Sequence, residues 1–439
     1  MADVRALFRA THPSGARTLY VAGTGDDRAS GATTSSAKRT IQGAIDVAQA
    51  GDRILVGNGT YGYTLFWQKH GTASAWITVE SVPGARPVID VSRSTTSYDP
   101  SLMTNGIDVQ LSSYVAVFGL EVRGDQRSPD PNPSGIAVFR ASSHIAIWAC
   151  NVHDFPGGGV NCFAVGETQF GSQVLPGGGW DAVDVAFCTV HATSRRSPMN
   201  TSGISFTGGQ DLTATTIDGR YGYRAVGNHV YDVVCTVPYR AGGFDFVTDG
   251  NGISPDSLAI PTSLVPGVLP YRKRGLIDSN VVVACGGRAV HVFNTKDIDV
   301  VNNTFVGNLR TASPAISGST EVDVALDDGD RANGVVIANN LIAPMHTDRA
   351  FDTLAQVVRG NTAVGGRDAV PFGNQSLRGM GLRVFRTTPT AAGLAAGTPV
   401  IALTPVLQTW VPKQGAGPGY GALGAARTKR STVVVGALE

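Results

Sequence analysis

The sequence contains no stretch approaching the roughly 18 consecutive apolar residues of a membrane span, which argues against a membrane-spanning helix. It has no CxxC pair, and its five cysteines, Cys150, Cys162, Cys188, Cys235 and Cys285, are odd in number and scattered. That pattern excludes a disulfide scaffold and the usual zinc spacing, and leaves the cysteines as small buried residues. Charge is scarce at 16 %, and 35 basic against 34 acidic residues leave a net charge of +1. With no global field, neither nucleic acid nor a membrane surface is an expected partner, and an acidic ligand would have to be met by a local cluster. Aromatic side chains do not cluster: Trp67, Trp76, Trp148, Trp180 and Trp410 are dispersed. The opening MADVRALFRATHPSGAR lacks the apolar core of a signal peptide, so no export signal is read in it.

What is abundant is glycine, 55 of 439 residues, against a usual level of about 7 %. Together with an ordinary hydrophobic fraction of 42 %, this suits a turn-rich β protein with a true core. From about residue 107 one unit recurs: alternating apolar residues, then Asn or a small residue, then more apolar residues. It reads SSYVAVFGLEV, SHIAIWACNVH, DAVDVAFCTVH, YRAVGNHVYDV, RGLIDSNVVVA, KDIDVVNNTFVGN, NGVVIANNLIA and QVVRGNTAV. Aligned on the Asn position, these give Leu120, Asn151, Thr189, Asn228, Asn280, Asn303, Asn340 and Asn361. Short strands with period-2 alternation at this spacing cannot pair as hairpins but can stack as parallel coils, and a repeated Asn at one corner suits a buried amide ladder.

Ahead of the repeats, Ile41, Ala44, Ile45 and Ala48 recur at helical spacing and Gly51 follows as a stop signal. This predicts one amphipathic helix, at about 36–50, covering the first coil of a solenoid. The expected fold is all-β: a single-stranded right-handed parallel β-helix with an N-terminal capping α-helix. The expected organisation is an N-terminal arm over 1–17, the β-helix over 18–366, and a C-terminal capping segment with a Gly/Pro-rich tail over 367–439.

Inserted loops in such a solenoid wall a groove on one outer face. The widest spacing, from Asn228 to Asn280, contains the unusual polar run GGFDFVTDGNGISPDS. Aligning GIAVF at 135, GISFT at 203, GISPD at 252 and RAVHVF at 288 turns Ile204, Ile253 and Val290 inward, and Ser205, Ser254 and His291 outward. With coils about 4.8 Å apart, Asn251, Ser254 and Asp256 then lie beside Arg288 and His291. Such a patch suits β-elimination on a uronic-acid polymer, in which the sugar carboxylate is neutralised, a base takes the C5 proton, and the C4 oxygen leaves. The candidate catalytic residues are Asp249, Asp256, Lys273, Arg288 and His291, with His291 or Lys273 as base and Arg288 as carboxylate clamp. Asp245 and Asp249 are the candidate Ca²⁺ ligands. Asn251, Ser254, Arg274 and Trp180 are the candidate substrate contacts, Trp180 by stacking on a sugar. The alternative chemistry is hydrolysis by Asp249 and Asp256. Asp249-Gly250-Asn251-Gly252 is also a turn sequence, and Trp180 also suits packing.

YVAGTG, TIQGAIDVAQAGDRILVGNGTY and the repeated Asn-bearing coils resemble the pectate-lyase-like superfamily of right-handed β-helices, from residue 18 to about 365. The run DGNGI and the coil carrying His291 look similar to family 9 polysaccharide lyases, in which a GNG-x-Lys segment brings the base and nearby Asp residues bind calcium. Ser254 stands here at the lysine's place. The resemblance implies a polysaccharide lyase acting on an acidic polysaccharide, with Ca²⁺ as its cofactor. A glycoside hydrolase, a viral tailspike-type depolymerase and a non-catalytic carbohydrate-binding β-helix stand beside it. The expected setting is extracellular or virion-associated, as a monomer, or as a homotrimer in the case of a spike.

Overall fold

In the computed structural model the chain winds as a right-handed parallel β-helix. The structure describes residues 2–15, 17–92, 105–127, 131–170, 173–259, 270–325, 334–338, 340–343 and 375–376. One coil comprises the strands Ser113–Phe118, Glu121–Arg123 and Ile136–Phe139. Stacking of equivalent strands makes three parallel sheets of 10, 10 and 8 strands, which we call A, B and C in that order. Sheet A begins at Thr18–Val21, sheet B at Thr60–Tyr61 and sheet C at Thr64–Trp67. A small antiparallel pair, Thr168–Phe170 with Gln173–Leu175, stands outside the coils.

The alternation read in the sequence is what closes the core. In sheet C, Ile136, Val160, Ile204, Ile253, Val290 and Val322 stand in one register column, and none is exposed. Each such side chain contributes about 1.5–3 kcal/mol on burial. The helix that covers the first coil is α2, Ile41–Asp46, with Ile41, Ala44 and Ile45 buried in the same core. It is shorter than the 36–50 expected. Thr40 ends it on the N-terminal side by accepting from Gly43 N at 2.9 Å while its own hydroxyl donates to Asp27 Oδ2 at 2.9 Å. A second helix, α1 at Ala2–Thr11, falls within the stretch read as an arm. It straps the outer face of sheet A, its Phe8 ring 4.8 Å from Phe118 and 5.8 Å from Trp148, and its Arg5 and Arg9 both bind Glu80.

The amide ladder is present, with a corrected register. Asn228 N donates to Asn280 Oδ1 at 2.9 Å, Asn280 N to Asn303 Oδ1 at 2.8 Å, and Asn303 N to Asn340 Oδ1 at 2.8 Å. The rung below Asn228 is Cys188, whose N–H donates to Asn228 Oδ1 at 2.9 Å, rather than Thr189. Thr189 pairs instead with Asn151 on sheet B, one residue past the corner. Asn361 lies outside the described residues. The Asn280 side chain makes four buried bonds, including Nδ2 to Ala225 O at 2.9 Å. Asn280→Ala strands the Asn228 N–H and the Ala225 carbonyl, so a loss of about 2–4 kcal/mol in urea unfolding is expected. A loss below about 0.5 kcal/mol would contradict a structural ladder.

All five cysteines are buried and unpaired in disulfides. Among the described residues, no helix is long and apolar enough to cross a membrane. The expected C-terminal segment over 367–439, apart from the short strand Gln375–Ser376, lies outside the described residues.

Candidate functional site

The outer face of sheet C carries a polar column. Strand register aligns Asn161 with Ser205 and Ser205 with Ser254; the next coils bring His291 and then Asp323 into the same line. A parallel column two residues on places Thr207, Asp256, Phe293 and Ala325 side by side. Both follow from alternation: with Ile253 and Val290 inward, their neighbours point out.

His291 is the hub. Its Nδ1 lies 3.7 Å from Asp249 Oδ1 and its Nε2 3.7 Å from Asp323 Oδ2, with 12 % of the side chain exposed. Asp249 accepts from Asn251 Nδ2 at 2.6 Å and from the Thr248 hydroxyl at 2.8 Å. Burial alone would raise the Asp249 pKa, but His291, Arg288 and Thr248 outweigh it and hold the carboxyl below its ordinary range. Asp323 in turn accepts from Arg288 Nε at 3.0 Å and from Ser319 Oγ at 3.1 Å. The result is a row of alternating acidic and basic side chains, Asp249, His291, Asp323 and Arg288, lying across neighbouring coils.

Several sequence-derived roles change in the folded chain. Arg288 is buried, and its guanidinium also donates to Ser319 Oγ, Thr248 O and Ala315 O. It therefore anchors Asp323 and the loop over it instead of clamping a substrate carboxylate. Asn251 is fully buried and accepts from Arg288 N at 2.9 Å, and Ser254 donates to His291 O at 3.3 Å. Both are rungs between coils, not groove contacts. Asp256 is partly exposed beside Phe293 and accepts from Ser257 Oγ at 2.7 Å.

Lys273 is drawn to the outer side of sheet A, where Nζ donates to Asp181 Oδ2 at 2.6 Å and to Thr215 O at 2.8 Å. A lysine committed to a buried carboxylate is not available as the base at His291. Arg274 opens the next sheet A strand and pairs with Asp299 and Asp297. Trp180 is wholly buried, its Nε1 donating to Thr207 O at 2.9 Å, so it is core and not a stacking surface. Asp245 has 94 % of its side chain exposed and its partner is Arg240, at 3.9 Å. Among the described residues, no three His, Cys, Asp or Glu side chains converge as metal donors. Asp249 accepts from Asn251 and Thr248, whereas Asp245 stands in solvent beside Arg240.

Asp323 was not singled out from sequence. The signal for Asp323 was present in the next coil, where GluValAspVal at 321–324 repeats the in-out alternation and Val322 faces inward.

The architecture defines the class: a right-handed parallel β-helix protein with carboxylate and imidazole side chains gathered on the outer face of one sheet. Residues 19–174 match the model of the Pel9A-like right-handed β-helix region. The crystal structure of pectate lyase Pel9A superposes with a TM-score of 0.51 at 16 % identity, covering 98 % of both chains. XylC in complex with xylose gives a TM-score of 0.44 at 13 % identity, covering 74 % of this chain and 69 % of its own. A rhamnogalacturonan lyase gives 0.42 at 14 % identity, covering 75 % and 91 %. No curated protein sequence matches the chain. At these identities the likeness is one of fold, and the centre at Asp249, His291 and Asp323 lies beyond the residues matched by the family model.

Proposed function

We propose that the protein is a polysaccharide lyase that cleaves an acidic, uronic-acid-containing polymer by β-elimination along the outer face of sheet C. The observation that carries this reading is His291, held between Asp249 and Asp323 at 3.7 Å from each on a solvent-facing strand. In the neutral ring one nitrogen holds its proton toward a carboxylate and the other offers a lone pair. That lone pair takes the C5 proton, and the two carboxylates stabilise the imidazolium that forms. The C5–H electrons become the C4–C5 double bond, the C4–O bond breaks, and the departing oxygen takes up a proton. The products are an unsaturated uronic end and a new reducing end. Arg288 keeps Asp323 in place and offsets its negative charge. The polymer is met outside the cell or at a virion surface, where such chains occur.

Hydrolysis is the second reading, because Asp249, Asp256 and Asp323 all belong to this one face. A panel of acidic polysaccharides, with and without a chelator, separates the two. The expected result is new absorbance near the ultraviolet edge; its persistence in chelator would assign the chemistry to the side chains alone. Reducing ends without that absorbance would assign hydrolysis. Loss of cleavage in chelator would assign the neutralisation of the sugar carboxylate to a divalent cation.

A further inference from the structure

Between the sheet B strand His229–Val233 and the sheet C strand Ile253–Asp256 the chain leaves the solenoid as a loop, and three aromatic rings gather in it. The Phe244 ring lies 6.2 Å from that of Tyr239 with planes 23° apart, and 5.2 Å from that of Phe246. Phe244 is 42 % exposed, one of few large apolar side chains left to solvent among the described residues. A single exposed apolar residue is ordinary. A ring that is stacked, exposed and fixed in position is a surface on which something can pack.

The loop is held in shape. Tyr239 N donates to Phe246 O at 3.0 Å and Phe244 N to Tyr239 O at 3.1 Å. The turn Arg240–Gly242 is closed by Gly243 at φ 84°, a left-handed conformation that glycine adopts without strain. Val247 then anchors the returning chain in a small apolar cluster with Cys235, Leu309 and Ile316. Thr248 and Asp249 follow directly, so the aromatic loop and the Asp249 carboxylate are parts of one braced segment. The Tyr239 phenol is raised above its usual pKa, by burial first and then by the negative charges of Asp249 and Asp256, which puts that ring within electrostatic reach of both.

We propose that Tyr239 and Phe244 form a stacking subsite for a pyranose ring of the polymer, adjoining the sugar that reacts at His291. This rests on the reading of the centre as polysaccharide-cleaving. The faces of a pyranose present C–H bonds with positive partial charge, which pack against the electron-rich face of an aromatic ring, while the hydroxyl and carboxylate groups project from the sugar's edge into water. An uncharged aromatic face within electrostatic reach of Asp249 and Asp256 binds an acidic sugar by its apolar face. It therefore adds affinity without adding a positive charge.

The test compares Phe244→Ala and Phe244→Trp with the unmodified protein, on the polymer that the panel shows to be cleaved. Binding is read by electrophoretic retardation in gels containing that polymer, with His291→Ala as the background so that the chain is not shortened. Phe244→Ala is expected to weaken binding and raise KM by about 3- to 10-fold, with the effect in KM rather than kcat, and Phe244→Trp is expected to restore both. Unchanged KM and retardation in Phe244→Ala, with the unmodified protein cleaving normally, overturns the subsite and leaves the centre intact. Cleavage and retardation both absent from the unmodified protein on every polymer would overturn the reading of the centre and the subsite with it.

Discussion

His291→Ala is expected to lower the rate of polymer cleavage by about 10²- to 10⁴-fold, the usual worth of a positioned proton acceptor. The ring is placed by three coils at once: its own strand Val290–Phe293, the Asp323 strand beyond it, and the loop that brings Asp249. The substitution removes the imidazole and leaves two carboxylates without the group between them. Because Val290 and Val292, the residues on either side, are wholly buried and unaltered, the coil itself is expected to persist. Circular dichroism and urea unfolding measure that persistence, and initial rates of double-bond formation measure the chemistry. A variant that is folded and retains more than about a tenth of the wild-type rate would remove His291 from the role of base.

Trp180→Ala is expected to cost about 3–5 kcal/mol of stability, because it empties the largest of the fully buried side-chain sites. The indole is boxed by Phe206, Tyr223 and Tyr271, with ring centroids 5.5, 5.8 and 5.4 Å away. Truncation also leaves the Thr207 carbonyl without its indole donor. Tyr271, one wall of that box, reaches past it to donate to Asp181 Oδ1 at 2.8 Å, the carboxylate that also holds Lys273. The cavity is therefore expected to loosen the sheet A side of the solenoid rather than the sheet C groove. Urea unfolding checks the stability. A loss under about 1 kcal/mol combined with lost polymer binding would return Trp180 to the sugar-stacking role that its glycine-rich surroundings suggest.

Trp180 shows why the two kinds of reading diverge. GlyGlyGlyTrp at the end of an insertion has the composition of an exposed loop tip, yet the strand Trp180–Ala186 begins at the tryptophan itself and turns it inward. Lys273 and Arg274 were grouped with the polar run before them because they follow it in sequence. In the fold they have already crossed to sheet A, a different face of the solenoid. Arg288 pairs with Asp323, and the segment around Ala315 and Ser319 folds back over it and consumes its other donors. Asn151 and Thr189 matched the ladder by chemistry, while the ladder position is held on that coil by Cys188, because a corner needs a small buried group and accepts more than one kind.

Taken alone, the sequence determined the solenoid, the cap over its first coil, and the inward set of the sheet C strands. These depend on local periodicity and on which residues prefer burial, and every coil repeats the same test. It also indicated that the strands carrying Ser254 and His291 would be neighbours, since adjacent coils are about 4.8 Å apart wherever their strands are in register. Tertiary structure alone decided which polar groups in that neighbourhood face the groove and which are consumed in holding coils together. It decided that Asp323, one coil further on, completes the pair around His291, and that Tyr239 and Phe244 stack in the loop leading to Asp249. The reason is that hydrogen-bond partners on separate coils and loops are chosen by three-dimensional packing, for which a one-dimensional pattern carries no distance.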